Sequence, residues 1–88
     1  MFSIDDLFFY LKQGREIEFH FNSVPYFSAS KHTTNEHGNR LFIMDICKEG
    51  EKARKIFEGT LDELVNFKFE DKFTMKDNWN LFRVDYIL

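Results

Sequence analysis

Gly14 to Phe27, GREIEFHFNSVPYF, is the stretch on which the fold turns. Ile17, Phe19 and Phe21 alternate with Glu16, Glu18 and His20, and this period of two marks a strand with one greasy and one ionisable row. Gly14, just ahead, is a stop for a preceding helix, because glycine takes left-handed backbone at little cost. Asn22-Ser23 reads as the two central residues of a tight turn into a second strand over Val24 to Lys31. Pro25 places that strand at an edge or occupies one of its first positions. In this register Phe21 opposes Val24, Glu18 opposes Phe27 and Glu16 opposes Ala29. Phe27 then shares a face with the ionisable row.

Working outward, Ser3 and Asp6 form an S-x-x-D capping box, with Phe2 and Leu7 placed as a hydrophobic staple, so a helix should begin at Ile4. Ile4, Leu7, Phe8 and Leu11 share one of its faces. Downstream, Thr33 to Asn39 is a polar loop. Arg40 to Lys48 follows as a third strand whose LFIMDIC core is apolar in both rows. KEGEK around Gly50 turns the chain into a fourth strand, Ala53 to Glu58. Thr60 to Glu63 is a second capping box, opening a short helix through Asn66. Thr74 to Asp77 repeats the pattern, with Met75, Trp79 and Phe82 at helical spacing, and RVDYIL reads as a closing strand. The order αββββααβ predicts an α+β fold: an antiparallel sheet of four to five strands with about three short helices packed on one face.

The pieces LFFYLKQGREIEFHFNSVPYFSAS, TLDELVNFKFEDKFTMKDNW and the final VDYI resemble a loose group of short proteins common in Gram-positive bacteria, their phages and their mobile elements. In that group the Gly-Arg-Glu-Ile-Glu-Phe strand leads to an Asn-Gly turn, and the rear carries Asp-Gly-Lys before a short helix with Trp. Here Asn22-Ser23 and Glu70-Asp71-Lys72 stand in those places, so both glycines are lost, and a residue is inserted near Phe73. The resemblance implies the architecture and a bacterial origin. It carries no activity.

At 88 residues the chain should form one domain, residues 1–88, burying about 60 to 65% of its unfolded surface and leaving little room for a deep cleft. Hydrophobic residues make up 43% of the chain, and 12 are Phe, ample for a core. The net charge of −3 opposes general polyanion binding, so nucleic acid is a disfavoured partner. A single thiol, Cys47, fits a reducing compartment, and the cytoplasm is the expected location. MFSIDDLFFYLK has no basic region ahead of its apolar residues, so it does not read as a signal peptide, and no apolar run is long enough to span a bilayer.

Glu16, Glu18 and His20 lie about 7 Å apart along one strand row and could converge on a metal ion. A solvated outer row explains them without one. His32 and His37 lack the Cys-x-x-Cys or His-Glu-x-x-His partners of a zinc site. Cys47 with a histidine is a conceivable nucleophilic pair, but a thiol in an apolar strand usually serves as a small packing residue. Phosphate loop, serine elbow and paired-acid signatures are missing from the sequence. The reading is therefore a non-enzyme with no catalytic residues, no metal or other cofactor, and no small-molecule substrate. A small metal-dependent hydrolase is the remote alternative.

Strand 40–48 is more telling. If Phe42, Met44 and Ile46 face the helices, Leu41 and Ile43 must point to the other side, and with the strand reversed Phe42, Met44 and Ile46 lie outside instead; either way apolar residues are left on the second face, and a contiguous exposed apolar patch usually marks a partner surface. The sequence thus predicts a small interaction or regulatory module, of the kind an accessory protein of a phage or mobile element would be. It binds another protein, or itself as a homodimer, through Phe27, Leu41 and Ile43, rimmed by Glu18, His20 and Lys31. The alternative is a nucleic-acid-binding regulator using the basic hairpin residues Lys48, Lys52, Arg54 and Lys55, although Glu49, Glu51 and Glu58 are interleaved with them.

Overall fold

A computed structural model describes residues 2–22, 27–48 and 50–88, with the side chains of Ser30, Lys31 and His32 left aside. Helix α1 spans Ile4–Lys12. The Ser3 hydroxyl accepts from the Asp6 amide at 3.2 Å, and the Asp6 carboxylate accepts from the Ser3 amide at 2.8 Å, so the expected capping box closes both ways. Gly14, at φ 85°, turns the chain out of the helix.

Strands β1 (Ile17–Phe21), β2 (Phe27–Thr34), β3 (Arg40–Ile46) and β4 (Arg54–Gly59) form an antiparallel meander, and β5 (Phe82–Ile87) returns to pair with β1. The sheet order is β4-β3-β2-β1-β5. Helix α2, Leu61–Val65, is capped by Thr60 and Glu63 in the same reciprocal manner. The fold is thus α+β with an antiparallel sheet.

The helix expected at Thr74 does not form. The Thr74 hydroxyl does accept from the Asp77 amide at 3.1 Å, but the Asn78 side chain folds back to accept from the Thr74 amide at 3.1 Å. That closes a single turn. The Asn78 side chain competes for the backbone's hydrogen bonds by taking the Thr74 amide. Only a 3-10 turn, Trp79–Leu81, follows, and Phe82 enters β5 instead of a helix face.

The β1/β2 ladder pairs Phe19 with Phe27, Glu18 with Ser28 and Ile17 with Ala29, one residue away from the register of a two-residue turn. Because strand side chains alternate, a one-residue slip sends every β2 side chain to the opposite face. Ser23 and the expected β2 positions Val24, Pro25 and Tyr26 lie outside the described residues. Asn22 itself has left-handed backbone, φ 52°.

The core fills one side of the sheet. Ile17, Phe19 and Phe21 from β1, Phe27 and Ala29 from β2, and Phe42 and Met44 from β3 are buried beneath Leu7 and Leu11 of α1, Leu64 and Val65 of α2, and Phe69 and Met75. Phe69 sits at the centre, its ring 4.9–5.3 Å from the rings of Phe21, Phe27, Phe67 and Phe82. A tight turn delivers it there: Phe69 and Phe73 bond each other's backbone at 2.7 and 2.9 Å, with Glu70 and Asp71 between them at φ 52° and 61°.

Candidate functional site

The opposite side of the sheet has no helix packed on it among the described residues, and its side chains follow from the registers. One row crosses all five strands as Tyr86, Glu18, Ser28, Asp45 and Lys55. In the neighbouring row Ile43 pairs with Glu58, while the Leu88 amide donates to the Glu16 carbonyl at 2.8 Å. Glu16, Glu18, Phe27, Ser28, Asp45, Cys47, Ala53 and Tyr86 line a shallow depression of about 450 Å³. Tyr86 and Leu88 are 63% and 57% exposed, and Leu41 and Ile43 are half-buried outside the core cluster.

Tyr86 reaches this face through an irregularity. Period-two alternation in VDYI would put Tyr86 in the same row as Val84, pointing inward. The β1/β5 ladder pairs Phe19 with Val84 but Glu18 with Tyr86, so Asp85 is an extra residue and Tyr86 turns out. No local signal in the sequence marks that bulge, so the exposure of Tyr86 is not legible from the residues.

The expected surface is therefore partly redrawn. Phe27, although it borders the depression, is not part of the apolar surface: its ring stacks on Phe19 at 5.5 Å, and it is only 6% exposed. Leu41, Ile43, Glu18 and His20 are on the outer side, whereas the Lys31 side chain is outside what the structure describes. Phe42 and Met44 face the core, so the acid Asp45 in the middle of an apolar strand lies on the outer face. Cys47 is exposed rather than packed, because it continues the row of Asp45 past the end of β3.

His20 does not converge with Glu16 and Glu18. Its Nδ1 lies 2.8 Å from Asp85 Oδ2, and Arg83 Nε stands 3.9 Å from the other carboxylate oxygen. A carboxylate-oriented imidazole can act as a general base only beside a group to deprotonate. The candidate thiol follows the end of β3, two strands from β1 in the sheet, while the His20 imidazole is bonded on the other side, to Asp85 of β5. Among the described residues no three His, Cys, Asp or Glu side chains gather in a metal-holding arrangement.

The basic cluster is mixed. Lys48, Lys52 and Arg54 are exposed around the turn at Gly50, and Glu49 is outside the described residues. Lys55 Nζ holds Glu58 at 2.8 Å, and that hydrogen bond, with the carboxylate's charge, raises the lysine pKa above its ordinary value. No described helix is long and apolar enough to cross a membrane. Compared with known proteins, the chain matches no family model, no curated protein and no solved structure.

Proposed function

We propose that the protein is a small binding module that engages another protein through the uncovered face of its sheet. The observation that carries this reading is the asymmetry of the sheet. Its helices and its aromatic cluster are on one side, and the other side presents Leu41, Ile43, Leu88 and Tyr86, the last of which borders an acidic depression. A protein surface with apolar anchors and a polar rim has the anatomy of an interface. Glu16, Glu18 and Asp45 would favour a partner strip carrying Lys or Arg, both by steering encounter and by opposing acidic competitors.

The test is in-cell crosslinking of the tagged chain, comparing wild type with Leu41→Asp, Ile43→Asp and Tyr86→Ala. A partner recovered with wild type should be depleted at least about tenfold in the variants, the size expected for loss of a central anchor. Recovery of every crosslinked protein at wild-type yield in all three variants would end the proposal.

A further inference from the structure

Helix α1 carries two stripes at i, i+3, i+4 and i+7 that share Phe8. The first is Ile4, Leu7, Phe8 and Leu11; Leu7 and Leu11 are fully buried and Ile4 and Phe8 pack against the core. The second is Asp5, Phe8, Phe9 and Lys12, turned about 100° around the axis by the one-residue offset. Asp5, Phe9 and Lys12 are exposed. Phe9 is 57% exposed and meets the edge of Tyr10 at 5.3 Å. Among the described residues neither Asp5 nor Lys12 belongs to an ion pair.

Beside this stripe a groove of about 400 Å³ runs between α1 and α2. Ile4, Phe8, Leu61 and Val65 supply its apolar lining, and Lys12, Asp62 and Lys76 its charged rim.

The second stripe complements itself. Two copies of α1 laid antiparallel about a twofold axis between residues 8 and 9 set Asp5 against the partner's Lys12 and Lys12 against the partner's Asp5. Phe8 then meets the partner's Phe9, and the reverse. The helix dipoles also oppose in this arrangement, whereas a parallel arrangement would stack like charges. We propose that α1 is a self-association surface on which a second copy docks antiparallel, placing its Phe9 at the mouth of the groove beside Phe8. Such an interface is isologous, as closed dimers require. A helix of nine residues is only about 14 Å long, so the contact is small and the dimer weak. This inference is independent of the outer sheet face, which the dimer leaves open.

The test is sedimentation equilibrium from about 1 μM to about 1 mM, the range of a weak, small interface. Wild type is compared with Phe9→Ser, Asp5→Lys, Lys12→Asp, the double variant Asp5→Lys/Lys12→Asp, and Leu41→Asp. Wild type should pass from monomer towards dimer. Phe9→Ser and each single charge reversal should weaken association about tenfold or more, since each reversal turns two symmetry-related attractions into repulsions. The double variant restores both pairs and should return to within about threefold of wild type. All the altered α1 positions are exposed, and an unchanged thermal transition confirms that the variants fold. A wild type that stays monomeric throughout, a double variant no better than the singles, or a dimer broken by Leu41→Asp but indifferent to Phe9→Ser would overturn the proposal.

Discussion

The same five strands make two unlike faces. On the inner one, Ile17, Phe19, Phe21, Phe42 and Met44 are sealed beneath α1, α2 and the turn that carries Phe69, with exposures of 2% or less. On the outer one, Glu18, Ser28, Ile43 and Asp45 stand half-buried, with no described helix above them. The difference shows what a short chain can do with its apolar residues. A domain of this size can cover one side of its sheet, and aromatic rings let it do so with few residues, since each Phe buries a large area. Apolar side chains on the remaining side contribute little to holding the fold, which leaves them available for contact with something else.

Substitutions should separate the faces sharply. Phe69→Ala removes the ring on which Phe21, Phe27 and Phe82 converge. It should cost about 3–5 kcal/mol, much of the stability of a domain this small, and denaturant unfolding would show a midpoint collapsed or lost. Ile43→Ala on the outer face should cost less than about 1 kcal/mol in the same assay, and a loss as large as that of Phe69→Ala would mean that the outer face is covered. The register provides a second contrast between adjacent residues. Phe27→Asp should unfold the protein by burying a charge, and Ser28→Asp should leave it folded with a penalty of about 0.5 kcal/mol from the nearby Glu18 and Asp45. The opposite ranking would restore the two-residue turn.

Smaller effects test the joints between the faces. Asn22, Glu70 and Asp71 are the described non-glycine residues with left-handed backbone. Asp71→Gly should therefore raise stability by about 0.5–1 kcal/mol, the steric relief exceeding the added entropy of the unfolded chain. Least of all is a pH effect at the α2 cap. Thr60's amide and hydroxyl hold the Glu63 carboxyl below its ordinary value of 4.5. A depressed carboxylate adds stability above its unfolded pKa and loses it as pH falls through the folded value. Glu63→Ala should therefore be destabilised relative to wild type at pH 7, the gap narrowing as pH falls below 4.5 and through the folded value; urea titrations at neutral and acid pH measure it.

Much of this fold could be read from the residues because it is locally encoded. The capping boxes at Ser3 and Thr60, the alternation of Ile17, Phe19 and Phe21, and the apolar β3 each announce themselves within a few positions. What could not be read are the slips of one residue. A two-residue turn at Asn22-Ser23 and the actual pairing of Phe19 with Phe27 differ by a single step, and that step moved Phe27 from the expected binding surface into the core. The bulge at Asp85 did the reverse for Tyr86. Leu41 and Ile43 escaped both errors because β3 has apolar residues in both rows, so either register leaves some of them outside. The capping signal at Thr74 was real, yet Asn78 turned it into a single turn instead of a helix.

One sheet face is sealed and the other open, and thiol protection measures that directly. In a Cys47→Ser background, single cysteines are placed at positions 28 and 43 on the outer face and at 29 and 44 on the inner face, and labelling rates are followed under native conditions. Positions 28 and 43 should label within about tenfold of an unfolded thiol, while 29 and 44 should be slowed by at least about a thousandfold, since they open only when the domain unfolds. Equal protection at all four positions would contradict an open face, and protection at 28 with rapid labelling at 29 would contradict the register itself.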